Sequence, residues 1–182
     1  LLIAGHKPAW VISAGLAGGL VSHVRHGDFI MADSVADTSG RSLAIDLHVD
    51  PSEAAKHPRM HVGRILTIDH LAATPAEKRT LGEEHLALAV DRESFAVAEV
   101  CRANSTRFLA IRAILDPLEE ELPEELGRLS RRQSGVRRVG GLVGAVWNRP
   151  SAAKDLLAWQ EHALSVSDRL AKFLEGVVTQ VA

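Results

Sequence analysis

The chain has 182 residues, of which 46% are hydrophobic and 24% are charged, and its formal net charge is −2. This composition is typical of a globular domain that is long enough to bury a substantial core. The small net charge offers no electrostatic basis for binding nucleic acid or an anionic membrane, so we expect neither as a stable partner.

The expected compartment follows from the absence of two sequence patterns. No apolar run is long enough to span a bilayer, and the opening residues lack the charged-then-apolar layout of a signal peptide. We therefore expect a cytoplasmic protein with no stable membrane insertion, which leaves peripheral contact open. The single cysteine, Cys101, excludes a disulfide within the chain, and its apolar helical surroundings predict a buried thiol.

The opening residues, LLIAGHKP, have the character of the last turn of a helix. Gly5 fits a helix C-cap, and Pro8 fits the stop that often follows one. We therefore expect residues 1–182 to form a single domain that is incomplete at its amino terminus.

The next apolar runs predict strands. Residues 9–14 (AWVISA) predict a buried strand, and residues 15–20 predict a small-residue loop where main chain can approach a ligand. A strand over residues 29–35 is predicted to pair with one over residues 42–49 as a hairpin, because turn residues occupy positions 37–40.

Strands and helices then alternate, which is the pattern of an α/β fold. Residues 60–69 predict a strand, and Thr74 followed by Pro75 predicts the start of a short helix. At the other end of the chain, an amphipathic pattern after Pro150 predicts a long helix that continues to the carboxyl terminus.

The strongest functional signal lies between residues 86 and 116. A buried strand (86–90), a helix (94–103) and a second buried strand (108–114) predict a βαβ unit, whose strands we expect to lie parallel and side by side. Glu93 and Asp116 would then lie at neighbouring strand ends, the edge at which open α/β sheets bind ligands.

Two other clusters of polar residues predict solvated side chains instead of a site. His57 and His61, like His23 and His26, have spacings that one helical face could use for a metal. Neither pair has a cluster of acidic residues or cysteines nearby, so we expect no metal. The four arginines between positions 131 and 138 follow a run of glutamates and favour a charged surface.

Three motifs together resemble the purine and uridine nucleoside phosphorylase superfamily. Residues 89–94 (AVDRES) resemble its V-[DE]-M-E-[SA] signature, residues 112–116 (RAILD) its R-A-I-S-D strand, and residues 15–19 (GLAGG) its G-[ST]-A-G-G loop. The branch they resemble most contains the 5′-methylthioadenosine/S-adenosylhomocysteine nucleosidases and their hopanoid-associated relatives. The resemblance implies a three-layer fold with a mixed central sheet flanked by helices.

The resemblance also implies roles for individual residues. Asp116 would be catalytic, donating a proton to N7 of a purine so that the base leaves more readily. Glu93 would bind the ribose hydroxyls and help to raise the proton affinity of Asp116. The substrate-binding positions on the remaining motifs would be Asp91, Arg92, Leu71, Ala72, Ala14, Gly15 and Leu16.

Several departures from the family pattern leave the substrate and the nucleophile open. Arg92 replaces a methionine that packs on the sugar, Leu16 replaces a hydroxyl residue, and Leu115 replaces a serine. The part of the family fold that holds the attacking water or phosphate would precede Leu1. The resemblance therefore implies cleavage of an adenine nucleoside, with no cofactor, and with phosphate as a co-substrate if the enzyme is a phosphorylase.

Two alternatives stay open beside this reading. One is a hydrophobic adenosyl substrate such as adenosylhopane, which Arg92 and the segment 131–147 favour. The other is an inactive partial chain that folds poorly because its sheet lacks neighbouring strands. Members of the superfamily usually assemble, so the resemblance also implies a homo-oligomer.

Overall fold

The computed structural model describes residues 2–46, 57–123 and 150–181. Within them, four helices and six strands follow one another in a mixed α/β order. In chain order they are α1 (Leu2–His6), β1 (Trp10–Gly19), β2 (Phe29–Asp37), β3 (Ser42–Ala44), β4 (Met60–Thr67), α2 (Pro75–His85), β5 (Ala89–Asp91), α3 (Ser94–Ala103), β6 (Arg107–Asp116) and α4 (Pro150–Val181).

Local sequence signals placed most of these elements correctly. The Thr74 side chain accepts a hydrogen bond from the backbone N–H of Glu77 and so caps α2, as its hydroxyl predicted. Strands β2 and β3 form the predicted antiparallel hairpin, in which Val35 faces Leu43. The remainder of the predicted second strand, from residue 47 onwards, lies outside the described residues.

The strands form a mixed sheet in the order β3-β2-β4-β5-β1-β6, and β2 also pairs with β6. That additional pairing joins five of the strands into a ring, with β3 attached to its outside. The pairs β1–β6, β2–β4 and β4–β5 are parallel, whereas β1–β5 and β2–β6 are antiparallel.

The prediction that the two strands of residues 86–116 lie side by side and parallel is wrong. Strand β1 lies between β5 and β6, antiparallel to the former and parallel to the latter. The physical reason is the length of the pairing: β6 aligns with β1 from Trp10 to Gly18, whereas β5 is only three residues long. A long ladder with β1 satisfies far more backbone groups of β6 than β5 could.

The predicted loop over residues 15–20 is also wrong, because β1 continues to Gly19. The small residues of this segment instead allow other parts of the same chain to pack closely against it. A Cβ atom on Gly19 would lie 3.3 Å from the Cα of Pro117, and one on Gly18 would lie 3.0 Å from Oδ2 of Asp116. These glycines therefore let the end of β6 lie close against β1.

Helices cover both faces of the sheet and give the three expected layers. Adjacent residues of one strand face different clusters, as the period of two requires. The α3-side core includes Ile65 and Ile114, and the opposite face carries an α2-side core around Leu66 and an α4-side core around Ile111. Cys101 is fully buried in the α3-side core, as predicted.

Helix α4 packs along β1 and β6. The ring of Phe173 stacks on Phe29 with 4.6 Å between the ring centroids, and the helix buries its own Val166 and Leu170 against the sheet. The Arg169 guanidinium donates to the carbonyl of Gly27, which ties the helix to the loop before β2. Among the described helices, none is both long and apolar enough to cross a membrane.

Two helical glycines give opposite predictions for stability. A Cβ atom on Gly82 of α2 would lie 2.6 Å from the carbonyl oxygen of Leu20, whereas one on Gly176 of α4 would meet nothing within 4 Å. Gly82→Ala should therefore lower the free energy of unfolding by about 1–3 kcal/mol through overpacking. Gly176→Ala, the matched control, should raise it by up to about 1 kcal/mol through helix propensity. Urea denaturation of the two variants measures both, and equal effects would contradict the packing of α2 on Leu20.

Candidate active site

Asp116 lies at the end of β6, where a β-bulge turns its side chain toward α2. Ala17 pairs with Ile114 but Gly18 pairs with Asp116, so Leu115 is an extra residue in β6. Ile114 faces the α3-side core, and regular alternation would direct Asp116 to the same face. The bulge instead places the carboxyl against Lys78 on the opposite face.

The Asp116 carboxyl is buried among few polar groups. Its side chain is 9% exposed, and its Oδ2 lies 2.7 Å from the ammonium of Lys78, which is fully buried. Burial raises the pKa of Asp116 above its ordinary value, the Lys78 charge opposes that rise, and Glu120 adds to it. Because the direction is upward, the carboxyl holds its proton more readily than an exposed aspartate.

Apolar residues of the α2-side core adjoin this carboxyl. Gly18 separates Val90 from Asp116, since a Cβ atom there would lie 3.2 Å from the former and 3.0 Å from the latter. Val90 shares its cluster with Ala72, which is buried, and Leu71 beside it is half-buried. Ala72 thus belongs to the same apolar cluster as Val90, and its base-binding role stays a prediction.

Glu93 and Arg92 lie at the start of α3. Glu93 is the N-cap residue and is exposed, and its side chain makes no capping hydrogen bond. Arg92 is half-buried and donates to the carbonyl of Asp69, 3.3 Å away. The carboxyl of Glu93 therefore does not accept a hydrogen bond from the first turn of α3. The neighbouring carboxylate that contributes to the raised pKa of Asp116 is Glu120, whereas the sequence suggested Glu93.

Asp91 and Arg112 form a buried ion pair on the α3 face. The Arg112 Nε lies 2.7 Å from Oδ2 of Asp91, and both side chains are nearly inaccessible. Asp91 also accepts from the hydroxyls of Thr67 and Ser94, and Arg112 donates to Ser13. The predicted substrate residue Asp91 therefore uses its oxygens within the protein, where they fix the turn that carries Glu93.

The three predicted positions on β1 lie in the strand itself. Ala14 is exposed and pairs with Ile111, Gly15 pairs with Arg112, and Leu16 packs into the α4-side core. A Cβ atom on Gly15 would lie 3.9 Å from the Arg112 guanidinium. Gly15 thus lies beside the Arg112 side chain, and the substrate-binding roles of all three positions stay predictions.

The histidines that invited a metal hypothesis have other surroundings. His61 lies 3.0 Å from Asp28, which also accepts from the Arg59 Nε and the backbone N–H of Arg25. His70 lies between Asp69 and Glu77, and those two carboxylates raise its pKa. Over the residues that the structure describes, no group of three or more suitable side chains could hold a metal ion.

The buried ion pair predicts a large stability effect. Arg112→Met should lower the free energy of unfolding by about 3–5 kcal/mol, because it leaves Asp91 buried without its cation. The double variant Asp91→Asn with Arg112→Met should lose less than the sum of the single losses. Arg79→Met removes an exposed ion pair with Glu119 and should change little. Chemical denaturation measures all four proteins, and additive losses would contradict the coupling.

Comparisons with known proteins identify the family of this chain. Residues 1–139 match the family model described as the phosphorylase superfamily. A futalosine hydrolase of Streptomyces coelicolor is 31% identical over an alignment of 171 positions that covers 84% of this chain and 68% of the relative. A 5′-methylthioadenosine/S-adenosylhomocysteine nucleosidase of Thermotoga maritima is 32% identical over an alignment of 124 positions that covers 63% of this chain and 57% of the relative.

The fold has a counterpart among solved structures. A 5′-methylthioadenosine/S-adenosylhomocysteine nucleosidase of Helicobacter pylori superposes with a TM-score of 0.67 at 19% identity, over 98% of this chain and 72% of that one. At this identity the similarity shows the shared mixed α/β fold alone. From the family match over residues 1–139, the chain belongs to the phosphorylase superfamily, and it is similar to the nucleosidases of that superfamily.

Proposed function

We propose that this chain supplies the base-binding and ribose-binding side of an enzyme that cleaves the N-glycosidic bond of an adenine nucleoside. The observation that carries the proposal is the buried carboxyl of Asp116, whose pKa is raised and which lies near the apolar side chain of Val90. A carboxyl whose pKa is raised by burial suits a general acid for a purine leaving group, which must deliver a proton.

The chemistry follows from the position of the proton. Asp116 donates its proton to N7 of the base, which makes the base a better leaving group. The C1′–N9 bond then breaks through an oxocarbenium-like state, by the same logic as glycoside cleavage. Water or phosphate adds to C1′, and the base departs carrying the proton that Asp116 supplied.

We propose that Glu93 binds the ribose hydroxyls. Its carboxylate lies exposed at the start of α3 and is not used as a helix cap, so both oxygens can accept from sugar hydroxyls. The Asp91–Arg112 pair holds the turn beneath it, since the backbone N–H groups of Glu93 and Ser94 point to Asp91. Asp91 thus supports the site without contacting the sugar.

The relatives support water as the attacking group. Two curated relatives carry the names futalosine hydrolase and 5′-methylthioadenosine/S-adenosylhomocysteine nucleosidase, and both names denote cleavage of a nucleoside. We therefore infer a nucleosidase that needs no cofactor. A requirement for phosphate as co-substrate would make the enzyme a phosphorylase of the same superfamily.

The substrate that we propose is methylthioadenosine or S-adenosylhomocysteine, which would place the enzyme in methionine salvage. Futalosine is a candidate on the strength of the relative that matches 84% of this chain. A hydrophobic adenosyl compound such as adenosylhopane is a further candidate, because Arg92 brings a charge to the sugar side; the segment 131–147 that also favoured it lies outside the described residues. We also propose a cytoplasmic homo-oligomer.

Release of free base tests the proposal. The purified protein should liberate adenine from methylthioadenosine without added phosphate, and chromatography of the products would detect it. Parallel reactions with S-adenosylhomocysteine, futalosine and adenosylhopane rank the substrates. The absence of base release from all four, with and without phosphate, would overturn the proposal in favour of an inactive chain.

Two substitutions test the assigned roles. Asp116→Asn should lower kcat by roughly 10²–10⁴-fold, because the amide cannot donate the proton as an acid. Glu93→Gln should act mainly on KM, whereas Glu99→Gln on the exposed side of the same helix should leave both constants unchanged. The wild-type rate should fall as the pH rises through the raised pKa of Asp116, since the acid is then ionised.

A further inference from the structure

Lys78 is a fully buried cation on a helix whose other charged residues face solvent or lie near the surface. It is 0% exposed, and Gly82 is the other buried residue of α2. A buried ammonium is costly unless each of its three donors meets an acceptor. Here the Nζ atom contacts Oδ2 of Asp116 at 2.7 Å and the carbonyl oxygens of Pro117 and Glu120 at 3.0 and 2.8 Å.

All three acceptors belong to one short stretch of chain that begins with the proposed acid. The ammonium therefore fixes the carboxyl of Asp116 relative to the turn that follows β6. On the other side, Oδ2 lies against Gly18, where any Cβ atom would be only 3.0 Å away. Oδ2 is thus held between Lys78 and Gly18.

The same contact affects the charge of the carboxyl. Two charged groups act strongly on Asp116, Lys78 from α2 and Glu120 from the segment after β6, while β1 and β5 present Gly18 and Val90. Lys78 stabilises the carboxylate that forms when the proton leaves, and Glu120 destabilises it. A buried acid without such a cation would hold its proton too tightly to donate it.

We propose that Lys78 is the positioning residue of the proposed acid: it orients the carboxyl of Asp116 and stabilises the carboxylate left after proton donation. This inference rests on the proposed function, because Lys78 acts on the reaction only through Asp116. It assigns a chemical role to a lysine in a helix that carries no recognised motif.

The first test compares Lys78→Met with wild type. The variant keeps the length of the side chain and loses its charge, so kcat should fall by roughly 10- to 100-fold, less than for removal of Asp116 itself, with KM little changed. The alkaline limb of the pH–rate profile should move to higher pH, since the pKa of Asp116 rises without the cation. Lys78→Arg, which keeps the charge, should return the limb toward its wild-type position.

Two further variants test the direction in which the alkaline limb of the pH–rate profile moves. Glu120→Gln removes the opposing charge while keeping the main-chain carbonyl that Lys78 contacts, so the alkaline limb should move to lower pH. Arg79→Met, on the neighbouring position of α2, removes a cation that pairs with Glu119 and should move nothing. A wild-type limb in Lys78→Met, or an equal shift in Arg79→Met, would overturn the inference.

A measurement that does not depend on turnover separates this inference from the proposed function. Carbon-13 NMR titration of Asp116, assigned with Asp116→Asn, should give a higher pKa in Lys78→Met and a lower one in Glu120→Gln. If wild type releases no base from any substrate, the proposed function fails. If the titration of Asp116 is the same with and without the Lys78 charge, the inference fails instead. Lys78→Gln, which keeps a donor without the charge, serves if the methionine variant does not fold.

Discussion

Ionisable groups that leave water need partners, and strand β6 carries two such groups into the interior. Arg112 enters the α3 face and meets Asp91, and Asp116 enters the opposite face and meets Lys78. Each partner comes from a different element, so each ion pair fixes the position of β6 against a neighbour: the β5–α3 turn on one face and helix α2 on the other. Buried pairs of this kind define a geometry even where their net contribution to stability is small.

The bulge at Leu115 is the reason that Arg112 and Asp116 point to opposite faces of the sheet. Arg112 and Ile114 follow the ordinary alternation of a strand, and the extra residue then reverses the face for Asp116. The extra residue in β6 thus places the proposed acid on the face opposite the Asp91–Arg112 ion pair. Gly18 and Gly19 of β1 accommodate the bulge, because the absence of a side chain leaves room for the Asp116 carboxyl and for Pro117.

Local sequence signals predicted the elements far better than their neighbours in the sheet. The helix Ser94–Ala103 and the cap at Thr74 depend on residues a few positions apart, which a reader of the sequence sees directly. The placement of β1 between β5 and β6 depends on pairing with residues far along the chain, and nothing local signals it. Small residues in β1 suggested a ligand loop, whereas they accommodate other parts of the protein.

The site residues divide in the same way. Asp116 and Glu93 were predicted from motifs, and their roles stay predictions. The sequence did not identify Lys78 as a site residue, because the many charged residues of α2 predict an exposed helix. The available signal was its spacing: Lys78, Leu81 and Gly82 share one face, so a lysine stands where a core residue would. A cation at a core position of an amphipathic helix indicates a buried anion nearby.

The ring of strands also bears on how the chain reaches its fold. Trp10 pairs with Arg107 and Phe29 with Ala113, so β1 and β2 pair with a strand made about 80–100 residues later. Contacts this distant in sequence carry a high loop-closure cost and slow the folding of a domain. During synthesis, β1 emerges long before its parallel neighbour exists, and its apolar residues stay without that cover until β6 has left the ribosome. The ring of strands can therefore close only after β6 has been made.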